Sequence, residues 1–192
     1  MFPSCMQSSS PPVVSDSAPL SEGISLKGLW EFYAAYVDDK MSPACTTADI
    51  LPVVKRITMA DPSNSNSSGR GGGGGGGVSY CEFIQQQAAQ ISPSSTATAT
   101  ATAPSSPPAK VGRAKYFISH GWKYNFKEFL LALEMKFQDE PSALLWIDLF
   151  SHNQHNELTS DQWISAFEEH IVRIGHTVMI LFPWDNPLPF TR

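Results

Sequence analysis

Apolar positions recur at helical spacing in three short blocks, then change rhythm from about residue 111. In "SLKGLWEFYAAYVDDK", Leu26, Leu29, Trp30, Tyr33 and Val37 predict a helix, with Ser25 as its N-cap. In "TTADILPVVKRIT", Pro52 suits only a first turn, so Asp49 is expected to cap a helix running to about Ile57. "VSYCEFIQQQAAQ" predicts a third helix, with Tyr80, Phe83 and Ile84 as its apolar side. None of these has enough apolar surface to stand alone, so they are expected to pack on each other or on the C-terminal part.

From 111 the pattern alternates between two rhythms. "AKYFIS" predicts a buried strand, bounded by Gly112 and Gly121. Asn125 with Glu128 predicts a helix start, and Phe126, Phe129, Leu130, Leu133 and Phe137 form its apolar face. Pro141 ends it, and "ALLWIDLF" predicts a second strand. Thr159 and Gln162 predict a capping box, and Trp163, Ile164, Phe167, Ile171 and Ile174 line the next helix up to Gly175. "TVMILF" predicts a third strand, left as an edge. Strand, helix, strand, helix, strand with unbroken apolar strands predicts an α/β fold, a parallel sheet covered by helices on both faces.

The segments between these elements carry little to bury. Residues 1–22 are rich in Ser and Pro and are expected to be disordered. The resulting division is 23–60 as a helical pre-domain, 61–77 as a Gly/Ser-rich linker, and 78–91 as a helix. Residues 92–110 are a low-complexity Ala/Thr/Ser/Pro linker, and 111–192 hold the α/β domain. No helix follows "PWDNPLPFTR", so the sequence is expected to be the front part of a longer protein.

Charge and cysteines narrow the class. The formal net charge is -5 and the pI about 5.5, which points away from nucleic acid and anionic membranes as partners. No stretch has the length or composition of a signal peptide or membrane span. Cys5, Cys45 and Cys81 lack metal-clip or redox spacing, so a reduced, cytoplasmic setting is expected.

Candidate chemistry follows from topology. Ligands of open parallel sheets bind at the carboxyl ends of the strands. Ser119, His120 and Trp122 follow the first strand, Asp148 lies in the second, and Trp184 and Asp185 follow the third. With strand order 2-1-3, the crevice opens between "SHGW" and "PWDN", where a Trp or His could stack on a flat ring and Asp185 could accept from sugar hydroxyls. The same residues fit a structural reading in which His120 closes the strand and Trp122 packs over it. Ser119 and His120 do not make a catalytic dyad, because neighbours on extended chain point to opposite faces. In "SHNQH", His152 and His155 lack a third ligand at defining spacing, so a metal site is not expected. The glycines at 71–77 lack the Lys-Ser/Thr ending of a phosphate loop.

The segments "YFISHGWKYNF", "LLWIDLFSHNQH" and "IGHTVMILFPWDNPLPFTR" resemble a TIR-like (Toll/interleukin receptor-like) group of algae and other unicellular eukaryotes. That group carries "FISHAW", "DLFSNNQH" and "IGHTLLVLLPW" type motifs; Gly121 stands here in place of the usual Ala. The resemblance covers about 111–192 and implies a flavodoxin-like sheet, of which the first three strands are present. It implies a signalling or protein-interaction module that self-associates or pairs with other TIR-like or repeat-domain proteins. It also implies an alternative, cleavage of NAD at the nicotinamide–ribose bond, with NAD as substrate and no cofactor. The key Glu of NAD-cleaving members lies on the helix after the third strand, beyond Arg192. This chain as it stands is therefore expected to be inactive. By position, Ser119, His120 and Trp122 match pocket-lining residues of such enzymes, and "SHNQH" matches the mobile loop after the second strand.

Overall fold

A computed structural model describes residues 22–59, 76–91 and 109–182. The elements run β1 Glu22–Ser25, α1 Leu26–Tyr36, α2 Thr47–Thr58, α3 Tyr80–Ile91, β2 Val111–Arg113 and β3 Tyr116–Ser119. They continue with α4 Phe126–Lys136, β4 Leu144–Trp146, α5 Asp148–Ser151, α6 Ser160–Ile174 and β5 Thr177–Met179. The fold is α/β, with a five-stranded mixed sheet in the order β2-β1-β4-β3-β5.

Three of these strands meet the expectation: β3 lies parallel between β4 and β5, which is the 2-1-3 order. The wholly parallel, three-stranded sheet is corrected. β1 pairs antiparallel with both β4 and β2, so two more strands extend the sheet beyond β4. A four-residue strand that runs straight into a helix at Ser25 has too few residues to show a period of two. The stretch 23–60 therefore supplies a strand as well as two helices.

Helix starts follow local chemistry. Ser25 accepts from Gly28 N, Asn125 from Glu128 N, and Thr159 with Gln162 forms a reciprocal box. Gly175 closes α6 at φ 78, a left-handed position that suits glycine. The start of α2 is corrected: Thr46, not Asp49, is the N-cap. Asp49 sits at the third helical position and accepts from Thr46 N at 2.8 Å. Pro52 then falls inside the helix rather than in its first turn. "ALLWIDLF" is also corrected. It is strand only through Trp146 and turns helical at Asp148, whose Oδ1 accepts from Leu149 N at 2.8 Å. The Ser151 hydroxyl accepts from Ile147 N at 3.2 Å across the same turn.

The main core joins segments far apart in sequence. Phe32 of α1 meets Tyr80 of α3, Phe126 of α4 and Phe150 of α5 edge-on, at 5.1, 6.2 and 5.0 Å between ring centres. Burying aromatics of this size is the largest favourable contribution available to so short a fold. The opposite face of the sheet carries a smaller cluster, Ala114, Phe117 and Trp146, covered by Phe167 and Ile174 of α6. Ile164 and Ile171, expected on the buried side of α6, are 57 % and 39 % exposed. No helix of the described residues is long and apolar enough to cross a membrane.

Candidate functional site

The carboxyl ends of β3 and β4 bring His120, Trp122 and Asp148 together. The corner forms because β4 stops at Trp146 and α5 begins at once, which turns the Asp148 carboxylate back towards the loop after β3. Trp122 Nε1 donates to Asp148 Oδ2 at 2.9 Å. His120 Nδ1 lies 3.9 Å from Asp148 Oδ1, and the imidazole stacks on Phe129 at 4.6 Å. The His120 side chain is only 2 % exposed, and its Nε2 is buried without a partner. Burial pushes this imidazole below its ordinary range, against the attraction of Asp148 and a backbone hydrogen bond at Ile118. His120 is therefore neutral near pH 7 and supplies no charge to match the Asp148 carboxylate.

The loop is pinned by the N-terminal block. Thr47 Oγ1 donates to the Trp122 carbonyl at 2.7 Å, and Ala48 N donates to the same oxygen at 2.9 Å. Thr47 N donates to the Tyr124 carbonyl at 2.9 Å. These are free donors of the first turn of α2, satisfied by loop carbonyls. Gln154 Nε2 donates to the Asp148 carbonyl at 2.6 Å and holds α5 against its following loop.

Of the six candidate pocket residues, Ser119 joins β5 by its backbone, its carbonyl accepting from Ile180 N at 2.9 Å. His120, Trp122 and Asp148 form the corner. Trp184 and Asp185 lie outside the described residues. The described part of the expected crevice is bridged by Tyr124, a residue that the sequence did not single out. Its hydroxyl donates to the Ile180 carbonyl at 3.0 Å and accepts from Phe182 N at 2.6 Å. The only advance signal for Tyr124 was its place two residues after Trp122, at the expected mouth of the crevice.

The "SHNQH" histidines diverge. The His152 ring packs on Trp163 of α6 at 4.4 Å, whereas His155 Nε2 meets the Thr58 hydroxyl at 2.9 Å. Among the described residues no group of three His, Cys, Asp or Glu is arranged to hold a metal. His155 fills the space above Gly77, where a Cβ would lie 2.0 Å from its Cδ2. Beside it, Asn153 Nδ2 donates to the Gly77 carbonyl at 2.7 Å.

An apolar groove of about 340 Å³ opens on the other side of Tyr124, between α4 and the end of β5. Phe129, Leu131 and Met135 form one wall, and Ile180, Leu181 and Phe182 the other. Glu128 is the charged residue at its rim. Such a lining suits apolar contact rather than acid–base chemistry.

Compared with known proteins, the chain matches no family model, no curated protein and no solved structure.

Proposed function

We propose that this chain is a TIR-like signalling or protein-interaction module with a flavodoxin-like sheet. It works by self-association or by pairing with another TIR-like or repeat-domain protein. One observation carries the reading: among the described residues the β5 side of the sheet is an open edge with exposed apolar side chains. Among the described residues β5 pairs with β3 alone. Met179, Leu181 and Phe182 are 47, 44 and 56 % exposed beside it. The groove lies on one face, and α6, which packs on the opposite face over Phe117 and Trp146, carries the exposed Ile164, Ile171 and Val172. An unpaired strand edge with apolar flanks favours association over isolation. The parallel order β4-β3-β5, with α4 and α6 on opposite faces, supports the flavodoxin-like reading.

The test is a sedimentation dilution series of the chain and of a Met179→Lys/Leu181→Lys variant. Concentration-dependent association, abolished in the variant with its circular dichroism unchanged, is the expected result. A monomer at every concentration that also captures no TIR-like or repeat-domain protein would refute the reading.

The alternative, NAD cleavage, draws on the gathering of His120, Trp122 and Asp148 at the strand ends. It applies to a chain that carries a Glu on a helix beyond Arg192. Nicotinamide release from NAD by such a chain, lost on changing that Glu to Gln, would favour it over the first reading. The buried His120 ring and the Trp122–Asp148 hydrogen bond speak for the first.

A further inference from the structure

The helix α6 is attached unlike the other long helices. None of its residues is buried, whereas α1, α2 and α4 each bury several. Its central contact is Phe167, edge-on to Phe117 at 6.1 Å and to Trp146 at 5.7 Å. Two histidine–tryptophan pairs bracket that contact. His152, from the body, packs on Trp163 of the helix at 4.4 Å. His170, from the helix, packs on Trp146 of the body at 4.7 Å. The joint therefore places an imidazole from each side against an indole of the other.

We propose that this paired histidine joint makes α6 an acid-released element: protonation of His152 and His170 undocks the helix and uncovers Phe117 and Trp146, while the main core stays folded.

The chemistry of the contact drives release. A protonated imidazole carries N–H groups on both nitrogens and a full charge, and both need partners. The Nε2 of His152 is buried with none. Around His152, Asp148 of α5 and Glu82 of α3 favour the charged form, and burial outweighs them. Around His170, Glu169 favours charge, while Arg173 and His152 oppose it, and burial again dominates. Both imidazoles are thus held below their ordinary value in the docked state. The attraction of a cationic ring for an indole face works the other way. Here the planes are tilted by 47° and 33° rather than stacked, and protonating both rings sets two like charges at one joint. The sign follows from linkage: the undocked histidines bind more protons. Docking is fully favoured above about pH 6.5 and is lost as the pH falls from there towards the lower docked values.

Three other histidines lie outside the joint, among them His176, whose ring packs 5.8 Å from Tyr116. His120 lies in the main core beside Asp148, and His155 bonds Thr58. The experiment must separate them from the joint. Hydrogen exchange of the full chain, corrected for intrinsic rates, is measured near neutral pH and near pH 5. In the wild type, peptides from α6 are expected to lose at least tenfold in protection at the lower pH, while α1 and α4 keep theirs. His152→Phe/His170→Phe keeps aromatic contact without a titrating group and is expected to hold α6 at both values. His120→Phe is expected to leave the α6 response in place. Should the double variant not fold, the histidine ring protons of the wild type are titrated by NMR. Midpoints for His152 and His170 below that of free histidine, coincident with α6 exposure, support the proposal. It is overturned by unchanged α6 protection, by equal loss in a folded double variant, by opening of α1 and α4 together with α6, or by ordinary midpoints.

Discussion

Asp148→Asn tests whether the corner after β3 is held by a carboxylate. The substitution preserves volume and removes one acceptor. In the native chain Oδ2 accepts from Trp122 Nε1 at 2.9 Å, and Oδ1 accepts from Leu149 N at 2.8 Å. An amide has one oxygen, so one of these N–H groups must face an NH2 group instead. Asp148 is 8 % exposed, so water replaces the lost partner poorly. A hydrogen bond to a charged group contributes about 1.5–3 kcal/mol, and a stranded buried donor costs about 1–3 kcal/mol. The two figures describe the same loss, so they overlap rather than add. Little attraction to His120 is lost, because burial keeps that ring neutral near pH 7. The net expectation is a destabilisation of about 2–3 kcal/mol, or on the order of 10 °C in Tm for a domain of this size. Urea unfolding followed by tryptophan fluorescence reads it, with the m-value unchanged. Trp122→Phe removes the donor from the other side, and the double variant should show a coupling of about 1–2 kcal/mol. A variant within about 0.5 kcal/mol of wild type, or an additive cycle, would refute the assignment of Asp148 as the anchor of this loop.

Gly77→Ala places a Cβ 2.0 Å from the His155 ring and should drive it off Thr58, at a cost of about 1–3 kcal/mol. An unchanged thermal melt would show that the ring is not seated there. Gly175→Ala should cost about 1–2 kcal/mol through the left-handed backbone alone, since no atom beyond its chain neighbours lies within 4 Å of the new methyl. A Gly175→Asn variant that is no better than Ala would argue against that conformation. Cys81 is buried, and burial pushes its thiol up to about 12, so a disulfide reagent should modify it only as fast as the chain opens. Rapid labelling of Cys81 in the native state, mapped by peptide mass, would contradict its place in the core.

What could be read from the sequence was whatever is local. Ser25, Asn125, Thr159 and Gly175 declare helix ends within three or four residues of themselves, and the structure uses each as such. The order of the parallel strands also followed, because two long crossovers between apolar runs leave few ways to pair. What failed had either too little length or too distant a partner. β1 is four residues long and finds its neighbours more than eighty residues away, at Val111–Arg113 and Leu144–Leu145. The Asp49 assignment failed by giving too much weight to Pro52. Thr46 and Asp49 form a reciprocal box strong enough to set the start, and the proline is tolerated inside.

The candidate site shows the same division. That His120, Trp122 and Asp148 lie at the carboxyl ends of the strands was legible, whereas the expected crevice paired His120 with Trp184 and not with Asp148. That the His120 ring would be buried was not legible, because it depends on Phe129 stacking beneath it and on Thr47 holding the Trp122 carbonyl from 75 residues away. Those contacts give "FISHGW" its physical character. The loop spends three of its polar groups on its own chain, the Trp122 indole on Asp148, the Trp122 carbonyl on α2 and the Tyr124 hydroxyl on the end of β5, while His120 Nε2 is buried without a partner. A substrate entering this corner would have to displace bonds of the folded chain. A partner docking on the β5 edge meets Met179, Leu181 and Phe182, apolar side chains already exposed among the described residues. That difference in cost, rather than the identity of any one side chain, is why an interaction module is the better reading of these residues.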